Sequence, residues 1–371
     1  MPKFTYILLF LLIPTVFTFC TKKDKPVESR SFYMGVTPWP ADFTVAEVQA
    51  AYRFIDQHCD IVSQHIDDGI PYEEFYSNRP LPVDFENDIN YRATNSPTGK
   101  QIFLSVSALN LTRKEKADYY SKSLVSDSIK TLWKNLPVND PKVINSYINY
   151  MNWLIEKFNP IYVNYGVESN LLLWDPAKFS LYKDFISKVY AQLKADHPGL
   201  VLFVSFMVDE SNESLGFARQ LLPYSDWIGL SSYPYITVSS SANGNTDPSK
   251  FPTNYYERFI SLDLAKPFAF AETGYLAENL VVPSEGLNKQ GNETWQADYL
   301  SKVLELSNKY NAKLFIWFCS KDYDSGNNTL RNLGLYQTLF SFWEDTGLID
   351  ENGRERPGFR IWDQWLKKQK R

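Results

Sequence analysis

Short apolar runs recur along the chain and alternate with longer amphipathic stretches. Each run has the length and the content of Val, Ile, Phe and Tyr expected of a strand that is buried on both faces. The eight runs are Phe32–Pro38, Cys59–His65, Gln101–Ser107, Pro160–Glu168, Leu200–Met207, Trp227–Tyr233, Pro267–Glu272 and Lys313–Cys319.

The stretches between the runs have the spacing of amphipathic helices. The clearest is Trp295–Tyr310, which places Leu300, Val303, Leu304 and Leu306 on roughly one face. The other predicted helices are Val45–Gln57, Val143–Phe158 and Phe179–Ala195. Because a strand and then a helix recur along the chain, the strands are predicted to be parallel and joined by right-handed crossovers.

Eight such units predict an α/β fold, a (β/α)8 TIM barrel that forms a single domain over residues 32–371. A doubly wound sheet is the alternative, but no glycine-rich phosphate turn follows the first strand. Residues 66–100, which contain Pro71, Pro80, Pro82 and Pro97, follow the second strand, and residues 234–252 follow the sixth. We expect both to be long loops at the C-terminal face, where barrel active sites are built.

The N-terminus has the pattern of an export signal. Met1-Pro2-Lys3 is positively charged, an apolar run extends from Phe4 to Phe19, and Cys20 follows directly. The cysteine resembles the lipidated residue of bacterial lipoproteins, although Phe19 stands where a small residue is usual. The pattern predicts a signal segment over residues 1–20, a linker over 21–31, and an exported protein that is either secreted or lipid-anchored at Cys20.

Composition narrows the classes of function. The net charge is −5 and no long basic stretch occurs, which disfavours a nucleic-acid partner. The 3 histidines share no metal-binding motif, so we expect no metal or other cofactor. An aromatic content of 16% suits a cleft that stacks flat, amphipathic ligands. We expect a monomer that contacts the membrane only through its N-terminus, with Cys59 and Cys319 as buried free thiols.

Two of the predicted strands end in a glutamate, Glu168 on the fourth and Glu272 on the seventh. An unpaired buried carboxylate is costly, so such a position usually has a functional reason. Glycoside hydrolysis needs two carboxyl groups on opposite sides of the scissile bond, and these two strand ends face each other across a barrel mouth. The alternative for each glutamate alone is a salt-bridged residue of the rim.

Three stretches resemble the arabinogalactan endo-β-1,4-galactanase family, within clan A of the glycoside hydrolase barrels. They are residues 166–170 (GVESN), 226–235 (DWIGLSSYPY) and 272–275 (ETGY). The resemblance implies a retaining hydrolase of β-glycosidic bonds in an oligo- or polysaccharide, with β-1,4-galactan as one candidate substrate. It also implies that Glu168 is the acid/base and that Glu272 is the nucleophile.

Two features depart from the clan pattern. Val167 stands where the clan has an asparagine that binds the sugar 2-hydroxyl, and no arginine ends the second strand. Either His65, Asn164 or Asn170 replaces that contact, or the substrate differs, or activity has been lost. The alternative function is therefore a surface carbohydrate-binding barrel without turnover. A metal-dependent hydrolase is a further alternative, which the scarcity of histidines disfavours.

Aromatic and polar residues near the predicted strand ends complete the candidate site. Tyr233 is expected to hydrogen-bond the nucleophile, and Trp317 is expected to lie beneath the reacting sugar. The remaining candidates for substrate binding are His65, Trp39, Asn170 and Trp174. Four acidic residues are instead expected to be solvated loop residues: Asp67, Asp68, Asp322 and Asp324.

Overall fold

The structure is a computed structural model that describes residues 29–171 and 176–371. The predicted signal segment with Cys20, most of the predicted linker, and Trp174 lie outside these ranges. Within them, no helix has both the length and the apolar character needed to cross a bilayer.

Eight parallel strands form a barrel, each at the position of one predicted run. They are β1 (Tyr33–Val36), β2 (Ile61–Ile66), β3 (Gln101–Val106), β4 (Tyr162–Asn164), β5 (Val201–Phe203 and Ser205–Met207), β6 (Ile228–Ser232), β7 (Phe268–Thr273) and β8 (Leu314–Trp317).

The strands pair in the order of a closed barrel. One ladder runs β1–β8–β7–β6–β5, and a second runs β2–β3–β4–β5. The two ladders meet in β5, which is interrupted at Val204, and the Asp60 amide donates to the Met34 carbonyl at 2.8 Å between β1 and β2. The predicted (β/α)8 barrel is confirmed, and the doubly wound alternative is wrong.

Helices surround the barrel and include the four that the sequence predicts. They are α1 (Val45–His58), α2 (Tyr72–Ser77), α3 (Val83–Asn95), α4 (Asp127–Asn135), α5 (Pro141–Phe158), α6 (Pro176–Asp196), α7 (Asn212–Leu221), α8 (Pro234–Thr237), α9 (Glu257–Ile260), α10 (Glu293–Lys309), α11 (Asp324–Leu333) and α12 (Pro357–Leu366). The side chains of Thr44 and Asn292 cap α1 and α10 by accepting backbone N–H groups of the first turn.

The two expected long loops contain helical segments. Residues 66–100 form α2 and α3, so the expectation of a loop there is wrong. Pro71 and Pro82, which suggested a loop, lie at the N-caps of these helices, where a missing N–H is tolerated. Residues 234–252 contain α8 and the 3-10 turns Ser239–Asn243 and Pro248–Lys250.

The interior of the barrel is apolar at one end and polar at the other. Near the N-terminal ends of the strands, Phe103 and Phe203 stack with ring centroids 5.8 Å apart, and Trp227 packs on Phe203. Towards the C-terminal ends, the buried side chains include Asn164 and Ser205, which hydrogen-bond each other. Apolar side chains therefore fill the barrel near the N-terminal ends of the strands, and polar side chains lie towards the mouth, at the C-terminal ends.

The domain begins slightly earlier than predicted. Ser29–Arg30 pairs in parallel with Gln369–Lys370, and the buried Arg30 guanidinium forms an ion pair with Asp60. Residues 29–31 of the predicted linker therefore belong to the barrel domain. The pairing of these two short strands brings the first and last residues of the domain together.

Asp322 is not the solvated residue that the sequence suggested. It is buried and pairs with the fully buried Arg356, whose guanidinium also reaches Glu278 at 2.8 Å. Asp324 is only partly exposed. A buried arginine explains the buried aspartate, because an unpaired charge in this position would be costly. The predicted burial of both free cysteines, Cys59 and Cys319, is confirmed.

We predict that Arg356→Met lowers the free energy of unfolding by about 3–5 kcal/mol at pH 8, because it leaves a buried carboxylate without its partner. Burial raises the pKa of Asp322 to about 7, so the carboxyl is ionised at that pH. Urea denaturation measures the loss. The matched control is Arg354→Met, whose side chain is 61% exposed and whose loss should stay below about 1 kcal/mol. Equal losses in the two variants would show that the ion pair of Arg356 with Asp322 contributes no more to stability than an exposed one.

Candidate active site

Five side chains of alternating charge cross the mouth of the barrel, and we call them the charged row. In order, they are Glu168, Arg113, Asp67, His65 and Glu272. Arg113 Nε lies 3.0 Å from Glu168 Oε2, and its Nη1 lies 3.0 Å from Asp67 Oδ2. His65 Nε2 is 3.9 Å from Asp67 Oδ2, and its Nδ1 is 3.5 Å from Glu272 Oε2. The row connects the two glutamates that the sequence singled out.

Glu168 lies four residues beyond β4 and is buried at the mouth. Its backbone N–H donates to Ser205 Oγ at 3.0 Å, which ties it to β5. Ser231 Oγ, on β6, donates to Glu168 Oε1 at 2.7 Å, while Arg113 occupies Oε2. Both carboxylate oxygens therefore have a fixed donor, and the carboxyl group is held in one orientation.

Glu168 and Arg113 also share an unusual backbone conformation. Their φ angles are +51° and +56°, and the other described non-glycine residues with positive φ are three asparagines, Asn78, Asn159 and Asn311. Asparagine tolerates the left-handed region, whereas glutamate and arginine enter it at a cost. Strain of this kind is concentrated at functional sites. Here it falls on the two members of one buried ion pair.

Glu272 lies on β7, next to a bulge in the β6–β7 ladder between Leu230 and Ser231. A bulge redirects the side chains beside it. The Tyr233 hydroxyl donates to Glu272 Oε1 at 2.5 Å, which is the contact that the sequence predicts. Gly274 allows this arrangement, because a Cβ there would lie 3.1 Å from the Tyr233 ring and 2.6 Å from the Phe318 carbonyl.

The surroundings of Glu272 and His65 shift the pKa of both side chains. Burial raises the pKa of Glu272, and the charge of Glu168 adds to the rise, while His65 and Tyr233 oppose it. Burial alone would lower the pKa of His65. Attraction to the Asp67 and Glu272 carboxylates outweighs that effect, so the pKa of His65 is raised. The two glutamates are therefore electrostatically coupled, and the carboxylates on either side of His65 favour its protonated form.

The two asparagines considered as sugar ligands are structural. Asn170 is fully buried; it accepts from the Met207 amide and donates to the Met207 carbonyl and to Ser214 Oγ. Asn164 donates to the hydroxyls of Ser105 and Ser205 and accepts two backbone N–H groups. Neither amide is available to a ligand, so the prediction that Asn170 binds substrate is wrong.

Trp317 is also not placed as expected. It is fully buried, and its indole N–H donates to the Thr346 carbonyl at 2.9 Å. Leu314 and Ile316 of the same strand point into the barrel, so Trp317 points outwards to the helices, where it packs against Tyr299. The prediction that Trp317 lies beneath the sugar is wrong.

The neighbouring Phe318 takes the place at the mouth. It is partly exposed, and its ring lies 6.0 Å from Trp39 and 6.4 Å from Trp343. Trp343 in turn packs edge-on against Tyr233, 5.6 Å away. Trp39 therefore belongs to an aromatic wall beside Glu272, and its role in sugar stacking stays a prediction. Sequence reasoning missed Trp343, which lies in a 3-10 turn far from any strand end.

Arg113 and Asp67 are the other residues that sequence reasoning missed. The expectation that Asp67 is solvated is wrong, since its side chain is only 14% exposed and is enclosed by Arg113 and His65. Arg113 lies within the charged run TRKEK after β3, which has the appearance of a solvated loop. Asp68 is largely exposed, as predicted.

A shared histidine metal site is not supported within the described residues. His65 lies in the charged row, whereas His58 contacts Asp363 and His197 contacts Asn152, each outside the row. The described carboxylates close enough to share a cation are Asp322, Asp324 and Asp345, and Asp322, Glu278 and Glu351. None of these belongs to the charged row.

The fold is similar to that of several solved glycoside hydrolases. A GH5_18 protein from Bifidobacterium longum subsp. infantis has a TM-score of 0.63 at 16% identity, over 92% of this chain and 80% of that one. A GH5_18 variant from Streptomyces cattleya, in complex with Manb1-4GlcNAc, has a TM-score of 0.61 at 13% identity, over 90% and 80%.

A structure of fungal β-1,4-galactanases has a TM-score of 0.54 at 14% identity, over 91% of this chain and 100% of that one. The galactanase resemblance is therefore confirmed at the level of the fold. No protein-family model matches the sequence, and no curated protein matches it.

We predict that Glu272→Gln lowers the pKa of His65, because the change removes one of the two carboxylates that attract the imidazolium. An NMR titration of the imidazole resonances measures it, and a chain with 3 histidines gives few signals to assign. Glu305→Gln on the exposed side of α10 is the control and should leave the titration of His65 unchanged. An unshifted His65 in Glu272→Gln would contradict the coupling.

Proposed function

We propose that the protein is a retaining β-glycosidase that cleaves an oligo- or polysaccharide by a double displacement between two glutamates. The observation that carries the proposal is the placement of Glu168 and Glu272 at the mouth of the barrel, one beyond β4 and one on β7, linked by the charged row. The two carboxyl groups have different partners: Ser231 and Arg113 contact Glu168, whereas Tyr233 and His65 contact Glu272.

In the first step, the Glu272 carboxylate attacks the anomeric carbon and forms a glycosyl ester. The bond to the leaving oxygen breaks, and that oxygen takes a proton from Glu168. In the second step, Glu168 takes a proton from water, the water oxygen attacks the anomeric carbon, and Glu272 is released. The scheme needs no metal and no organic cofactor.

The hydrogen bonds of each glutamate hold it in one orientation for its step. Tyr233 donates to one oxygen of Glu272, which leaves the oxygen facing His65 to approach the sugar. Ser231 and Arg113 fix the orientation of Glu168, and an ionised Glu168 is the form that takes the proton of water. Positioning of this kind accounts for much of the rate of such reactions.

The substrate class is inferred from the structural neighbours. These neighbours include an exo-β-1,4-mannosidase, β-1,4-galactanases, a xylanase and a complex with a β1-4-linked disaccharide. We infer a β-linked sugar for this protein, with β-1,4-galactan as a candidate because of the three galactanase-like stretches. The aromatic wall of Trp39, Phe318 and Trp343 offers faces on which sugar rings can stack.

A carbohydrate-binding barrel without turnover is the second candidate. The observation that favours it is Val167, which is buried and carries no polar group where the clan has its asparagine. A lost 2-hydroxyl contact would remove several kcal/mol of transition-state stabilisation. Binding of a sugar would survive that loss, but catalysis would be severely slowed.

We predict measurable hydrolysis of at least one 4-nitrophenyl β-glycoside among the galactoside, mannoside, xyloside and glucoside. Glu272→Ala should lower kcat by about 10⁴-fold or more, because the nucleophile is lost. The control Glu213→Ala, an exposed position in the first turn of α7, should retain activity. Proton NMR of the first-formed product should show the β-anomer.

Two outcomes would reject this function. Sugar binding without turnover by the wild-type protein would support the binding barrel, and an inverted anomer would exclude a glycosyl ester on Glu272.

We also propose that the protein is exported and lipid-anchored at Cys20, on the basis of the charged start, the apolar run and the cysteine that follows. Labelling of expressing cells with a radioactive fatty acid should mark the wild-type protein, and Cys20→Ala should abolish the label. Labelling of Cys20→Ala to the same extent would contradict the anchor, whereas export without label would indicate a secreted protein.

A further inference from the structure

Neither asparagine flanking Glu168 at the end of β4, Asn164 or Asn170, is available to bind a sugar hydroxyl. Val167 has no polar side chain, and the amides of Asn164 and Asn170 are engaged by backbone groups and serines. If the protein is a glycosidase, another donor must lie beside Glu168. Among the described residues beside Glu168, Arg113 meets that requirement.

The hydrogen bonds of Arg113 leave one end of its guanidinium unused. Its Nε donates to Glu168, and its Nη1 lies within reach of Asp67, Ser107 Oγ and the Asn110 carbonyl. Its Nη2 has no hydrogen-bond partner in the described part of the chain. It is also not one of the unpaired polar atoms that are inaccessible to solvent. Two N–H donors therefore remain open beside Glu168.

Arg113 is rigid enough to act as a fixed donor. Its side chain is only 8% exposed, and its backbone is held at a φ of +56° while its N–H donates to the Asn110 carbonyl at 2.8 Å. A planar guanidinium with two ion pairs cannot rotate without breaking them. The direction of Nη2 is therefore set before any ligand arrives.

The charge of the row indicates which ligand group Nη2 meets. The row contains three carboxyl groups, Glu168, Asp67 and Glu272, against one arginine, Arg113, and one histidine, His65. An anionic sugar would be repelled by this excess of negative charge. A neutral hydroxyl oxygen, by contrast, can accept a hydrogen bond from Nη2.

We propose that Arg113 is a substrate-positioning residue whose Nη2 donates to the 2-hydroxyl of the sugar bound next to Glu168, in place of the amide that Val167 lacks. The inference rests on the proposed function and deepens it. The 2-hydroxyl is the group whose contact strengthens in the transition state of retaining enzymes. A charged donor at this point restores the interaction that the valine removes.

The test uses 2,4-dinitrophenyl β-glycosides of the sugar that the wild-type protein hydrolyses, with and without the 2-hydroxyl. The activated leaving group departs without a proton, so an indirect effect of Arg113 through Glu168 is suppressed in the first step. Arg113→Lys keeps a cation between Glu168 and Asp67 but loses Nη2, and Arg113→Met removes both the cation and Nη2. Lys114→Met is the matched control, since it removes an exposed cation from the same loop.

Arg113→Lys should lower kcat/KM for the parent glycoside by about 10- to 150-fold, the range for a hydrogen bond to a charged group. The 2-deoxy glycoside should lose far less, because it has no hydroxyl for Nη2 to bind. Lys114→Met should match the wild type on both substrates.

Equal losses of Arg113→Lys on the two glycosides, or no loss on either, would overturn the inference and leave the proposed function standing. A wild-type protein without turnover on any of these glycosides would overturn the proposed function and the inference with it. Arg113→Lys serves as the decisive variant if Arg113→Met does not fold.

Discussion

The ion pair between Glu168 and Arg113 is the constraint on which the mouth of this barrel depends. A carboxylate in this position is buried, and a buried charge persists only with a partner of opposite sign. Arg113 meets that need but is itself buried, so it requires Asp67. The row continues through His65 to Glu272, because each charged group is stabilised by a neighbour of opposite charge. The two glutamates thereby share one electrostatic network, and neither can be replaced without disturbing the other.

The barrel and the two glutamates were accessible to sequence reasoning because they follow from local patterns. A buried parallel strand gives a continuous apolar run, and a glutamate that ends such a run is conspicuous. Tyr233 follows β6 and contacts Glu272 as expected, because adjacent parallel strands end at the same edge. The prolines at 71 and 82 misled the prediction, since the same residue that ends one element can begin a helix.

The predictions failed where contacts between residues distant in sequence determine the environment of a side chain. Trp317 and Phe318 are neighbours in sequence, and only the register of β8 shows that the tryptophan points outwards. Asn170 looks available in sequence, but it is occupied by Met207. Arg113 lies in a run of charges that gives no sign of burial, and its partner Glu168 is 55 residues away in sequence. A contact between residues far apart in the chain produces no pattern in the sequence around either residue.

The most direct test of the account is to trap the glycosyl ester. The protein is incubated with the 2,4-dinitrophenyl 2-deoxy-2-fluoro β-glycoside of its preferred sugar, which slows the second step, and its peptides are analysed by mass spectrometry. The account predicts one fluorosugar attached to the peptide that contains Glu272. A fluorosugar on the peptide that contains Glu168 would contradict the central claim, because it would reverse the roles of the two glutamates.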